Sequence, residues 1–199
     1  MTKFTRLIAA PALALALGLP TFGMAGTSIE TTVQSSAVSA AKQTEPALYV
    51  TAQEAAQVLA TREDVLLIDV RTPEETMLIG YPEAADVNIP FALLDPAHAY
   101  DEKKAGYKMS ANPLFVDAVK TYLGDRIPGA ILVMCRSGAR SAKAVNALTQ
   151  AGIEVPLYSV IDGFEGDKDD VGKRTVNGWK NTNAAWGTKI RQGYLQGVD

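Results

Sequence analysis

The sequence predicts an α/β fold in which a mostly parallel central sheet is flanked by helices on both faces. Two continuous apolar runs, residues 65–68 and 131–134, are typical of strands covered on both sides. Segments with helical patterns stand between and after these runs. Alternating strands and helices of this length favour a parallel sheet wrapped by helices. In such sheets, ligands bind at the carboxyl ends of the strands.

Length and composition indicate one soluble globular domain with processing segments. The chain has 199 residues, of which 47% are hydrophobic and 21% charged, so wholesale disorder and a polytopic membrane protein are both excluded. A formal net charge of -3 argues against a broad nucleic-acid surface. The single Cys allows no internal disulfide, and the single His cannot build a multi-histidine metal site.

The first 25 residues have the order of a secretory signal peptide. Lys3 and Arg6 precede an apolar run at residues 7–19, and small residues follow near Ala25. The run is shorter than the roughly 20 residues that span a bilayer. We therefore predict a signal peptide at 1–25 and a periplasmic or secreted protein. Residues 26–46 are rich in Ser, Thr, Ala and Gln and predict a flexible leader before a domain at 47–199.

The first predicted elements are a strand and a helix. Residues 48–50 form a short apolar strand, and Thr51 and Glu54 have the spacing of a capping box that begins the helix. A second helix is expected to be capped by Asn112, with Pro113 as its first residue and its apolar stripe ending near Leu123.

The later elements continue the alternation. Residues 139–151 have helical composition, and Gly152 is suited to the C-terminal cap. Residues 156–161 predict a further strand that turns at Asp162 and Gly163.

The loop of residues 135–141 joins the second apolar run to a helix N-terminus. A chain that curls through such a turn can aim successive N–H groups at one point, here the Cys135 sulfur. Each hydrogen bond to a charged group contributes about 1.5–3 kcal/mol, whereas a helix terminus contributes about 0.3–1 kcal/mol. We therefore expect a ring of loop amides to stabilise a thiolate. The alternative for Cys135 is a buried structural thiol. We expect Arg136 and Arg140 to be two fixed cations that match a dianionic substrate, and the alternative for them is solvated surface charges.

Four motifs resemble those of the rhodanese family of sulfurtransferases. The resemblance covers about residues 47–186 and is closest to a single-domain exported member. The motifs are Asp69-Val70-Arg71-Thr72-Pro73-Glu74-Glu75, Asn88-Ile89-Pro90, the loop Cys135-Arg136-Ser137-Gly138-Ala139-Arg140-Ser141, and Asp162-Gly163-Phe164-Glu165-Gly166 before Gly178-Trp179.

This resemblance implies a rhodanese-like fold and a thiosulfate sulfurtransferase activity. Cys135 would take sulfane sulfur from a small anionic donor such as thiosulfate and pass it from a persulfide to cyanide or a thiol. No metal, cofactor or nucleic acid is implied, and an exported protein is a further candidate partner. We expect Asp69, with Arg71, to support the site through an arginine pair rather than by proton transfer. The implied substrate-binding residues are Arg136, Ser137, Gly138, Ala139, Arg140 and Ser141.

The chain departs from the family pattern at two places. Family members often carry Gly-His after the Asp69 motif, where this chain has Gly80 and Tyr81, and residues 94–110 are longer than a minimal domain needs. The long segment is expected either to rim the pocket or to form a surface loop. We expect His98, within it, to be a surface or packing residue.

Two other functions are considered. A cysteine phosphatase or arsenate reductase needs Arg six positions after Cys, where this chain has Ser141, with Arg140 at position five. A loop one residue shorter is expected to crowd out a tetrahedral phosphate. The second is a non-turnover sulfur carrier or partner-docking module, in which Trp179, Trp186 and Tyr194 serve either docking or packing.

Overall fold

A computed structural model describes residues 28–198 of the protein. The predicted signal peptide, residues 1–25, lies outside the described residues. In the described part the strands are, in chain order, β1 (Tyr49–Val50), β2 (Val65–Asp69), β3 (Tyr81–Pro82), β4 (Val87–Asn88), β5 (Ala92–Leu94), β6 (Tyr100–Asp101), β7 (Gly106–Tyr107), β8 (Met109–Ala111), β9 (Ala130–Met134), β10 (Leu157–Val160) and β11 (Trp186–Gly187). The helices are α1 (Ala52–Leu59), α2 (Pro73–Ile79), α3 (Phe115–Leu123) and α4 (Ala139–Gln150), with 3-10 turns at Ser35–Ala37, Ala40–Lys42 and Trp179–Asn181.

The central sheet confirms the predicted α/β architecture. Its strands run in the order β1-β10-β9-β2-β4, and every neighbouring pair is parallel. The remaining strands form short antiparallel ribbons, which are β3 with β11, β5 with β8, and β6 with β7. The carboxyl ends of the five parallel strands therefore share one edge of the sheet.

Both faces of the sheet are covered because side chains alternate along the central strands. Leu67 and Leu132 pack on the face that carries α1, whereas Ile68 and Val133 pack on the face of α3 and α4. All four side chains are fully buried, which explains the uninterrupted apolar runs. Within residues 28–198, no helix has the length and apolar character needed to cross a bilayer.

Helix α1 begins at its predicted cap residue, whereas α3 begins later than predicted. The Thr51 hydroxyl accepts the Glu54 N–H at 3.2 Å, and the Glu54 carboxylate accepts the Thr51 N–H at 2.8 Å, as the capping-box spacing predicts. The second predicted helix begins later than expected, at Phe115. Asn112 instead closes a turn: its side chain accepts the Leu114 N–H at 3.0 Å and donates to two carbonyls, those of Pro90 and Gly197.

Residues 28–46, within the predicted flexible leader, pack against the domain. Ile29 is buried, and its N–H donates to the Tyr158 hydroxyl at 3.0 Å. The Thr32 N–H and hydroxyl both donate to the Glu54 carboxylate, at 2.6 and 2.8 Å. Of the larger aliphatic residues in this segment, Ile29 and Val38 are buried, and the hydroxyl and N–H groups of Thr32 have fixed acceptors.

The long segment at 94–110 contributes to two antiparallel ribbons. β5 pairs with β8 and β6 pairs with β7, so the segment is ordered by cross-strand hydrogen bonds rather than by burial. His98 is exposed at its turn, and its ring lies 5.9 Å from the Tyr107 ring. His98 is thus a surface packing residue, as predicted.

Candidate active site

Cys135 lies at the middle of the carboxyl edge of the sheet. It follows β9 directly, and β9 is the central strand between β10 and β2. The chain then turns through three residues into α4. The thiol is 1% exposed, so the sulfur lies below the surface of the loop.

The Cys135 sulfur accepts a hydrogen bond from the Gly138 N–H at 3.2 Å. Gly138 has a φ of +99°, and a Cβ there would lie 2.1 Å from the Ile161 carbonyl oxygen, so this turn requires glycine. The sequence predicts a ring of amide donors, but within residues 28–198 the structure shows one N–H on the sulfur. The thiol side chain belongs to the apolar cluster under α3 and α4, which leaves less of the sulfur facing the loop than a ring would need.

The start of α4 adds further donors beside the loop. The N–H groups in the first turn of a helix have no acceptor within the helix. Within the described residues, those of Ala139, Arg140 and Ser141 make no backbone hydrogen bond. Ser137 and Ala139 are half-buried, whereas Ser141 is fully buried and its hydroxyl has no hydrogen-bond partner in the described part of the chain.

The motif of residues 162–166 holds the loop from behind. The Phe164 N–H donates to the Cys135 carbonyl at 2.8 Å, and the Glu165 N–H donates to the Arg136 carbonyl at 2.9 Å. Gly163 has a φ of +63°, and a Cβ there would lie 2.4 Å from the Cys135 carbonyl oxygen. The loop backbone and this motif are therefore in direct contact, which allows no side chain at position 163.

Arg140 is bound to a carboxylate that the sequence analysis did not assign to the site. Its Nη1 donates to Glu75 Oε2 at 2.7 Å, and its Nη2 donates to Oε1 at 2.5 Å. Burial alone would raise the pKa of Glu75, but the hydrogen bonds and charge of Arg140 outweigh it and the pKa is lowered. Burial would lower the pKa of Arg140, yet Glu75 raises it, with smaller contributions from Cys135 and Asp69.

Arg136 is also ion-paired. Its Nε lies 2.9 Å from Glu165 Oε1, in a contact without hydrogen-bond geometry. The arginine side chain is 46% exposed, whereas that of Glu165 is 7% exposed. The two arginines thus differ from the predicted pair of uncompensated cations, because each has an acidic partner.

Two features of the sequence could have identified Glu75 and Glu165 as residues near the loop. Glu75 has capping-box spacing from Thr72, which places its carboxylate at the start of α2. Glu165 lies in the motif that follows β10, at the same sheet edge as the loop. Pairing either residue with a particular arginine required the three-dimensional structure.

Asp69 and Arg71 form a fully buried pair beneath the site. Arg71 donates from Nη2 to Asp69 Oδ2 at 2.5 Å and from Nε to Oδ1 at 3.0 Å. The Phe164 ring stacks on the guanidinium, with its centroid 4.0 Å away. Burial would lower the pKa of Arg71, but Asp69 raises it. This pair joins β2 to the motif that supports the loop.

Asn88 and two late aromatic residues complete the support. The Asn88 amide donates to the carbonyls of Asp69 and Arg71, both at 2.8 Å. Tyr194 and Trp179 are buried and Trp186 is 41% exposed. Tyr194 and Trp179 are packing residues, and Trp186 is left as the exposed member of the predicted docking set.

No family model matches the chain, but it is similar to proteins of known sequence and structure. It is 31% identical over 129 residues to the uncharacterized protein RP600 homolog of Rickettsia rickettsii, a match that covers 65% of this chain and 88% of the relative. It is 30% identical to Rv0390 from M. tuberculosis, whose crystal structure matches with a TM-score of 0.52 over 69% of this chain and 95% of that chain.

A further structural match is the rhodanese-like domain protein from Staphylococcus aureus. It is 24% identical, with a TM-score of 0.38 over 63% of this chain and 96% of that chain. The Rickettsia protein and Rv0390 are both matched over most of their own lengths at 30% identity or more. The chain therefore belongs to the same family as these two proteins.

Proposed function

We propose that this chain is a sulfurtransferase that carries sulfane sulfur as a persulfide on Cys135. The observation that carries the proposal is the hydrogen bond of 3.2 Å from the Gly138 N–H to the Cys135 sulfur. A thiolate is the reactive form of cysteine, and an N–H donor favours the charged form of the group that it contacts. The sulfur also lies beside the N-terminus of α4, where negative charge is stabilised.

The proposed reaction has two transfers. The Cys135 thiolate attacks the outer sulfur of a donor such as thiosulfate, the S–S bond of the donor breaks, and its electron pair leaves with sulfite. Cyanide or a thiolate then attacks the terminal sulfur of the persulfide. The new S–S bond breaks, Cys135 returns as a thiolate, and thiocyanate or a new persulfide leaves. Sulfite is a stable anion, so neither transfer needs a proton from an acid.

The surrounding residues supply positioning in this proposal. The first-turn N–H groups of α4 would bind the negative charge of the persulfide, since they have no acceptor within the helix. Residues 162–166 hold the loop backbone through the Phe164 and Glu165 N–H groups. Asp69 and Arg71 act one layer below, through packing and hydrogen bonds.

Mass spectrometry of the intact protein tests the persulfide. After incubation with several sulfane-sulfur donors, the wild-type protein is expected to gain one sulfur atom, to lose it on addition of cyanide, and to release thiocyanate. Cys135→Ser should gain none. Absence of the adduct with every donor would overturn the proposal.

Rates distinguish this function from the alternatives. Repeated thiocyanate release per protein molecule is expected for an enzyme, whereas a sulfur carrier would release one equivalent. Hydrolysis of an aryl phosphate without thiocyanate formation would instead support phosphatase chemistry.

Export forms a separate part of the proposal. We propose a periplasmic or secreted protein, on the charged and apolar order of residues 1–25. N-terminal sequencing of the protein recovered outside the cytoplasm should begin near residue 26.

A further inference from the structure

We infer that this site prefers sulfur donors with one negative charge over doubly charged thiosulfate, and that Glu75 and Glu165 set the preference. The inference rests on the proposed function, because it concerns the donor that forms the Cys135 persulfide. It arises from the acidic partners of the loop arginines.

Four cations near the loop within residues 28–198 are each paired with a carboxylate. Lys42 is included because its Cδ lies 3.0 Å from the position that a Cβ on Gly138 would occupy. The pairs are Arg71 with Asp69 at 2.5 Å, Arg136 with Glu165 at 2.9 Å, Arg140 with Glu75 at 2.5 Å, and Lys42 with Asp167 at 3.1 Å. The charges that these residues bring to the loop therefore cancel.

Both acidic partners are tied to the loop, Glu75 through its carboxylate and Glu165 through its backbone. Glu75 accepts the Thr72 N–H at 3.0 Å in addition to both hydrogen bonds from Arg140. Glu165 is attached to the loop itself, because its N–H donates to the Arg136 carbonyl. The Glu75 carboxylate cannot leave Arg140 without breaking these hydrogen bonds, and the Glu165 backbone cannot leave the loop without breaking its own.

Burial makes the two carboxylates effective against a second negative charge. The Glu165 side chain is 7% exposed and that of Glu75 is 18% exposed, so salt and water screen them weakly. A dianion that recruited Arg140 would have to share its N–H donors with Glu75. A buried carboxylate that loses its partner is unfavourable. This cost weakens the binding of the doubly charged donor. The N–H groups at the start of α4 and the Gly138 N–H suffice for one charge.

Thiosulfate and the methanethiosulfonate anion form a matched pair of probes. Both present an outer sulfur on a sulfonyl sulfur, and a methyl group replaces one charged oxygen in the second compound. With methanethiosulfonate, the Cys135 thiolate attacks the outer sulfur, the donor S–S bond breaks, and methanesulfinate leaves with the electron pair. The products are the same persulfide and a singly charged leaving group.

The experiment measures kcat/KM for thiocyanate formation with each donor at fixed cyanide. Intrinsic reactivity differs between donors, so the measured quantity is the thiosulfate to methanethiosulfonate ratio of each variant relative to wild type. Glu165→Gln and Glu75→Gln are each expected to raise this ratio about tenfold, because each removes the negative charge that neutralises an arginine of the loop. Gln also preserves the capping box at position 75.

Glu74→Gln is the matched control. Glu74 is exposed on α2, the helix that carries Glu75. Glu74→Gln therefore makes the same change in net charge away from the loop arginines. Its donor ratio should equal that of wild type. If Glu165→Gln and Glu75→Gln form the persulfide but keep the wild-type ratio, the inference is overturned.

A wild-type measurement covers the case in which a variant does not fold. kcat/KM for thiosulfate is expected to be nearly constant between about 20 and about 500 mM salt, since a charge-balanced site does not attract the dianion over distance. A steep fall with salt would overturn the inference while leaving the proposed function intact. If neither donor forms a persulfide on wild-type protein, the proposed function itself fails.

Discussion

Arg140 holds the Glu75 carboxylate through two hydrogen bonds and so joins the first turn of α4 to the first turn of α2. The lengths are 2.7 Å from Nη1 to Oε2 and 2.5 Å from Nη2 to Oε1. The same carboxylate accepts the Thr72 N–H and completes a capping box. One side chain therefore fixes a helix start, and it also fixes an arginine of the loop around Cys135.

Glu75→Gln is expected to lower the free energy of unfolding by about 1–3 kcal/mol at pH 7. The pKa of Glu75 is lowered in the folded protein, against the effect of burial, chiefly by Arg140. Its contribution to stability is therefore present above its unfolded value of 4.5 and is lost as the pH falls through the lower folded value. Urea denaturation at pH 7 and near pH 3 should show the gap between variant and wild type narrowing in acid. A gap of equal size at both pH values would contradict this account.

Asp69→Asn should be more damaging, because Asp69 neutralises a guanidinium that is fully buried. Removing one partner of such a pair costs about 3–5 kcal/mol. Asp64→Asn is the matched control, since its pair with Arg62 lies at the surface, with the Asp64 side chain 54% exposed, and the loss of an exposed pair is expected to change stability far less. Chemical denaturation of both variants compares the two costs. If the two variants lost similar free energies of unfolding, Arg71 would have to find another counter-charge.

Gly163→Ala tests the contact between the loop and the segment behind it. The added Cβ would lie 2.4 Å from the Cys135 carbonyl oxygen, so the loop must shift. We expect kcat/KM for thiocyanate formation to fall about 100-fold, as displacement by about 1 Å does at a reacting centre.

Gly152→Ala is the control for the glycine prediction. Gly152 also has a positive φ, +79°, but a Cβ there meets nothing within 4 Å. Both variants carry backbone strain, and only Gly163→Ala carries the contact with the loop. Equal activity of the two variants would show that the contact does not position the sulfur.

The sheet could be predicted because the strand signal is local. The runs at 65–68 and 131–134 are continuous since helices cover both faces, and Cys135 follows the second run in sequence and in structure. β4 was not predicted, because two residues at the edge of the sheet carry no periodicity. The ribbons of residues 92–111 depend on cross-strand pairing, which a single strand pattern does not encode.

The charge balance of the site could not be predicted from spacing. Arg140 and Glu75 are 65 positions apart, and Arg136 and Glu165 also lie on different elements. The loop alone shows two cations, and only the folded chain shows that each has a partner. The loop pattern predicts an N–H donor to the Cys135 sulfur, and Gly138 supplies it. The number of such donors could not be predicted, because it depends on how deeply the thiol is buried in the apolar cluster.

Ile29→Ala tests whether the segment before β1 is part of the folded unit. Ile29 is 6% exposed in the core cluster on the α1 face, and truncating a buried Ile costs about 2–5 kcal/mol. If the segment were a detached leader, Ile29→Ala would leave the free energy of unfolding unchanged. Ile127→Ala provides the matched control, because Ile127 is 86% exposed and surface substitutions stay within about 0.5 kcal/mol. Thermal and urea denaturation of the two variants should therefore separate clearly, and equal stability of both would place residues 28–46 outside the cooperative unit.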